Sequence, residues 1–162
     1  MKKVLIVVMA GLLMLTAAMP DKTTTIFVIG DSTAANKYTT GGKQERGWAM
    51  MLQDCFDANY IVVDNHAVNG RSSKSFIDEG RWDAILQKMQ KGDYAIIEFG
   101  HNDGVEEAAR HTDPNTTFLE YLTKYAKDTI EHGGIPILMS PISRRWWKNG
   151  VLVNAHGDYR FG

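Results

Sequence analysis

The sequence predicts a doubly wound α/β domain built on a parallel sheet, and three observations carry that prediction. Four short apolar runs, at 26–29, 60–63, 94–99 and 135–139, are separated by stretches with helical spacing of apolar residues. The runs are apolar at consecutive positions, as in strands covered on both faces. The stretches between them are long enough for the crossovers that parallel strands require. The right-handed crossover rule makes the doubly wound arrangement the default.

Taken in order, residues 26–29 form the first strand. Trp48, Leu52, Cys55 and Phe56 then recur at three-to-four spacing and mark a helix. Within that stripe Cys55, the only cysteine, reads as a buried structural thiol with no basic neighbour to activate it. The β-branched run 60–63 is the second strand. Trp82, Ile85, Leu86 and Met89 mark another helix, ended near Gly92. The third strand is 94–99. Phe118, Leu122, Tyr125, Ala126 and Ile130 stripe a longer helix, with Thr117 and Glu120 spaced for a capping box and Gly133-Gly134 as its stop. The fourth strand, 135–139, carries Pro136 near its start, where a missing donor costs least. Arg144-Arg145-Trp146-Trp147, a turn at Asn149-Gly150 and Val151-Leu152-Val153 follow, with no further helix. Apolar surface beside the fourth strand is therefore expected to be uncovered, and the domain is expected to be truncated.

A chain of 162 residues suffices for one domain. Its formal net charge of −1 does not point to a nucleic-acid surface. The start reads as a secretory signal peptide over residues 1–18. Lys2-Lys3 is its basic start, Val4 to Leu15 its apolar run, and Thr16-Ala17-Ala18 its small-residue cleavage site. The apolar run is short for a membrane span of about 20 residues. Residues 19–162 are then the folded domain, secreted or periplasmic, with no membrane span after cleavage.

Chemistry is expected where strands end. Gly30-Asp31-Ser32 closes the first strand, and ligands of open α/β sheets sit outside the carboxyl ends of strands. A helix starting near Thr33 would give the Ser32 N–H a positive helix end for an oxyanion while Oγ attacks an acyl carbon. Asp31 and Ser32 could equally be helix caps, and on the tripeptide alone both readings stand. Gly70, past the second strand, permits positive φ and close approach of its N–H to a ligand. Asn102, past the third, carries an amide able to donate to an oxyanion. Three such residues at successive strand ends converge on one crevice.

The blocks Gly30-Asp31-Ser32-Thr33-Ala34-Ala35, 69–76 (Asn-Gly-Arg-Ser-Ser-Lys-Ser-Phe) and Gly100-His101-Asn102-Asp103 resemble those of the SGNH, or GDSL-type, hydrolases, and most closely the rhamnogalacturonan acetylesterases. Gly47-Trp48 and His156-Gly157-Asp158-Tyr159 fit the same family. The resemblance implies a flavodoxin-like three-layer α/β/α sandwich, here incomplete at its C-terminal edge. It implies Ser32 as nucleophile, with the Ser32 and Gly70 N–H groups and the Asn102 amide as the oxyanion hole. The implied reaction is hydrolysis of acetyl esters on pectin through an acetyl-serine, with acetylated plant polysaccharide as partner and no cofactor; no metal is expected, because the histidines and acids do not cluster at ligand spacing. The intact protein is expected to be a monomer.

One departure stands against the match. The family's general base lies in an Asp-x-x-His block, and none of the twelve aspartates here has histidine three residues later. Glu98-x-x-His101 is the nearest imitation, and neither it nor His156 suits the role. His66 is expected to pack after the second strand, with His111 and His132 at the surface. The triad's Asp and His are therefore expected to be absent from this chain, leaving the serine unarmed. Arg145 and Trp147 are candidate substrate contacts, since arginine suits a sugar carboxylate and indole stacks on a sugar ring. The tryptophans could instead pack on a missing helix. The rival functions are another SGNH esterase or lipase, and a non-catalytic fragment.

Overall fold

The computed structural model describes residues 23–38, 40–42 and 44–160. The expected signal peptide lies outside them. Strand β1 (Thr24–Gly30) is paired in parallel on both sides, with β2 (Ile61–Asn65) and β3 (Tyr94–Glu98), and β4 (Ile135–Met139) lies parallel to β3. The order β2-β1-β3-β4 reverses direction between β1 and β3, the switch point at which such sheets open a crevice.

Alternation along the strands divides the core in two. Phe27, Ile29, Ala95 and Ile97 face three helices, α1 (Ser73–Asp78), α2 (Arg81–Leu86) and α3 (Thr117–Glu131). From those helices Phe76, Trp82, Ile85, Phe118, Leu122 and Tyr125 fill the space. Trp82 and Tyr125 meet edge to face at 5.0 Å between ring centroids. Ile26 and Val28 point the other way, onto Ala34, Ala35, Ala49 and a 3-10 helix over Trp48–Cys55. The result is the expected three layers, with the second face thinly covered. An apolar hollow lined by Ile26, Phe56, Ile61, Tyr94, Ile96 and Ile137 opens there, and Ile135, Ile137 and Leu138 of β4 are exposed.

Several local expectations are corrected. The 48–56 segment is a 3-10 helix rather than an α-helix, and Cys55 is exposed. Cys55 lies off the face made by Ala49, Leu52 and Phe56, so it turns to solvent rather than into the core. Helix α1 has too short an apolar stripe to be read from periodicity. Its start is chemical: Ser72 and Ser75 form a reciprocal capping box. No such box forms at α3, where Thr116 is the N-cap and makes no side-chain cap bond. The Thr117 hydroxyl is taken by the backbone N–H of Asp113, at 2.8 Å. Ile130 is exposed, at the helix end where the stripe runs off the core. The Asn149-Gly150 turn joins β5 (Trp147–Lys148) to β6 (Val151–Leu152), both residues having positive φ as a tight hairpin requires.

Candidate active site

The β1 exit is built by Asp31. Its Oδ1 accepts from the Thr33 N–H at 2.8 Å, and its carbonyl accepts from Ala35 N at 3.0 Å. These bonds close a turn over 31–35, so the helix expected from Thr33 does not form and Ser32 has no helix dipole behind it. Past the turn, Trp48 N donates to Thr33 O at 2.9 Å, and a Cβ on Gly47 would stand 2.1 Å from Ala35 O. Gly47 therefore lets one backbone lie directly on another and fixes the loop. Ser32 sits half-buried at its tip.

The other two exits are stitched to the first. Val68 N donates to Gly30 O at 3.0 Å, which brings the loop carrying Gly70 across the end of β1. Gly70 has φ of +76°, the conformation expected of it. Asn102 Nδ2 donates to Arg71 O at 2.9 Å, tying the β3 exit to the Gly70 loop. That bond uses one of its two amide protons and leaves the other available. The Ser32 and Gly70 N–H groups make no hydrogen bond to another described residue. The structure thus gathers Ser32, Gly70 and Asn102 at neighbouring strand ends.

Asp103 anchors this assembly from below. Its buried carboxylate accepts from Ser73 N and Oγ, Gly100 N and Thr112 Oγ1. Burial pushes its pKa up to about 6, against the four donors that favour the charged form.

Two further buried acids, Asp31 and Glu98, form the floor. Glu98 accepts from Trp48 Nε1 at 2.6 Å, Thr33 Oγ1 at 3.0 Å and Ile142 N at 3.0 Å. It is not paired with His101. That ring turns to Asp31, with Nδ1 facing Oδ2 at 3.4 Å as an ion-pair contact, and neither atom has a hydrogen-bond partner. Burial drives the Asp31 pKa upward, but His101 and the Thr33 donors together hold it below the ordinary value. The buried His156 stacks edge-on to His101 at 4.2 Å between centroids, and its Nε2 lies 3.0 Å from Ile142 O. Burial, then the neighbouring His101, lowers its pKa.

The other rings are engaged elsewhere. His66 pairs with Asp64, His111 with Val105 O and His132 with Asp128 O. No histidine ring pairs with Ser32 among the described residues. Nor, among them, could any group of three His, Cys, Asp or Glu side chains hold a metal ion.

Arg145 and Trp147 are both exposed. The arginine reaching the site is Arg144, whose Nη2 donates to His101 O at 3.0 Å. The Asp31–His101 contact and the Glu98–Trp48 bond were the features missed from sequence. The aspartate within the tripeptide and the Gly47-Trp48 pair were their visible traces.

The arrangement offers a half-buried serine beside unengaged N–H donors, over a floor of two buried carboxylates. That is a setting for acyl transfer. Residues 28–159 match the model of the GDSL-like Lipase/Acylhydrolase family. The chain belongs to this family.

This GDSL-family chain is 38% identical over 136 residues to "Probable rhamnogalacturonan acetylesterase YesY" of Bacillus subtilis (strain 168), covering 83% of itself and 61% of that protein. It is 34% identical over 142 residues to "Rhamnogalacturonan acetylesterase RhgT" of the same strain, covering 87% of itself and 59% of that protein. The chain therefore spans about 60% of the length of these two relatives. Among solved structures, protein YXIM of B. subtilis matches at TM-score 0.69 and 29% identity, over 76% of this chain and 34% of that one. The esterase EstA of Pseudoalteromonas sp. matches at TM-score 0.55 and 29% identity, over 73% and 61%.

Proposed function

We propose that this GDSL-family chain carries the nucleophile and oxyanion donors of an acetylesterase acting on rhamnogalacturonan. The observation that carries the reading is the joining of three strand exits around Ser32, by the Asn102–Arg71 and Val68–Gly30 hydrogen bonds. Similarity to a protein named rhamnogalacturonan acetylesterase, and to a second named as a probable one, supports the substrate.

In the proposed reaction Ser32 Oγ attacks the acetyl carbonyl carbon, and the carbonyl electron pair moves onto oxygen. The Ser32 N–H, the Gly70 N–H and the free amide proton of Asn102 receive that charge. Collapse breaks the bond to the sugar oxygen, which leaves as the hydroxyl with the proton given up by Ser32. Water then releases acetate from the acetyl-serine. Without an imidazole paired to Ser32, donors and binding alone supply a residual enhancement of roughly 10³–10⁴ over water, so slow turnover is expected of these residues by themselves. A substrate outside the cell also requires export, and a mature N-terminus at Met19 is the corresponding expectation.

The test separates nucleophile from turnover. A fluorophosphonate probe should label the chain at Ser32 by peptide mass spectrometry, and acetate release from acetylated rhamnogalacturonan should be measured in parallel. Ser32→Ala should abolish labelling while leaving the residual acetate release that donors and binding supply, and Asn102→Ala should slow labelling about 10²–10³-fold. Labelling that persists in Ser32→Ala sinks the assignment.

A further inference from the structure

Beside the β3 exit lies a cavity of about 320 Å³ whose wall includes His101, Arg144, His156 and Tyr159 and no acidic residue. A second cavity, on the Gly70 side, differs in kind. Its arginines are already matched, Arg71 by Glu79 and Arg110 by Glu107, and both glutamates belong to its wall. Arg144 makes no ion pair among the described residues. One of its nitrogens is fixed on His101 O, and the rest of the guanidinium fork is open. His156 lines the same space with its Nε2 turned to Ile142 O, and its lowered pKa makes it a neutral wall. Asp31 lies behind His101, facing Nδ1.

We propose that this cavity binds a carboxylate, with Arg144 as its charged ligand. A planar guanidinium with a free edge matches a planar monoanion in two parallel hydrogen bonds. A phosphate dianion would call for more positive charge than one arginine supplies. Because Arg144 is anchored on the residue preceding Asn102, a carboxylate held there lies next to the acyl-transfer site. Two sources share this chemistry, a sugar-acid unit of the polysaccharide and the acetate released from it. Both rest on the function proposed above, whereas carboxylate binding itself does not.

The test is a titration of the chain followed by the imidazole resonances of His101 and His156, with sodium D-galacturonate, D-galactose, sodium acetate and inorganic phosphate. Galacturonate should give saturable shifts that galactose does not. Arg144→Gln should weaken its binding at least tenfold and Arg145→Gln less than twofold, with Arg144→Lys intermediate because charge survives without the fork. Galacturonate binding more tightly than acetate assigns the cavity to the polysaccharide, and equal binding assigns it to the released acid. Either result upholds the carboxylate site. Galactose binding as well as galacturonate, phosphate binding more tightly, or unchanged binding by Arg144→Gln would each overturn it. An unreactive Ser32 would sink the esterase reading and leave these binding outcomes untouched.

Discussion

Asp103 offers the sharpest test of the physical account of this site. Its folded-state pKa is near 6, against an ordinary value of 3.8. Between those values the folded chain holds a proton that the unfolded chain has released. Stability from this group is therefore fully present below pH 3.8 and is lost as pH rises through 6. At about 1.4 kcal/mol per pH unit, the swing is about 3 kcal/mol. The wild-type profile alone will not isolate it. His156, whose pKa is lowered, contributes stability that is lost as pH falls below 6.5. Asp31, also lowered, loses its contribution at still more acidic pH. The informative quantity is the difference between wild type and Asp103→Asn, in which those groups cancel. Asparagine sets an NH₂ against the Gly100 N–H that now donates to Oδ2, a pH-independent penalty of about 1–3 kcal/mol. On top of it, the advantage of wild type should shrink by about 2 kcal/mol between pH 4 and pH 7, most of the full swing, measured by urea unfolding at closely spaced pH. A flat difference would refute the reasoning. A difference that grows with pH would show that the four donors outweigh burial.

Other consequences are equally concrete. Trp82→Ala removes a fully buried indole that packs on Tyr125 and donates to Asp128, and should cost about 3–5 kcal/mol in urea unfolding. Gly47→Ala drives a Cβ into Ala35 O and should lower the thermal midpoint, together with the rate of serine labelling, because the displaced backbone belongs to the Ser32 turn. Cys55 should react with a disulfide reagent in the native protein as fast as in urea. A protected thiol there would contradict the exposed position.

How much of this was legible depends on which force builds each part. The four strands could be read because buried parallel strands are apolar at consecutive positions, and β4 begins and ends where the sequence places it. Helix α3 was legible from its long stripe. Helix α1 was not, because it is specified by the Ser72–Ser75 hydrogen bonds, and hydrophobic periodicity is blind to those. The site divides the same way. Ser32, Gly70 and Asn102 could be placed because each follows a recognisable strand. The turn at 31–35 could not be told from a helix start, since Asp31 suits both and the choice falls to distant contacts from Gly47 and Trp48. Arg144 rather than Arg145 reaches His101, a choice set by backbone direction in a segment without regular structure.

Thr33 gives the floor of the site a property of its own. The four oxygens of Asp31 and Glu98 each face one dedicated nitrogen: Thr33 N, His101 Nδ1, Ile142 N and Trp48 Nε1. The Thr33 hydroxyl lies within hydrogen-bond distance of both Asp31 Oδ1 and Glu98 Oε2, yet it has one proton. That proton is a spare, able to swing to whichever of those two oxygens loses its donor. The floor is thus fault-tolerant on one side only. A lost indole N–H at Trp48 can be covered by a hydroxyl rotation, so the Trp48 and Thr33 donors are partly redundant and their removal should be worse than additive. A lost imidazole at His101 has no such cover, since the spare does not reach Oδ2.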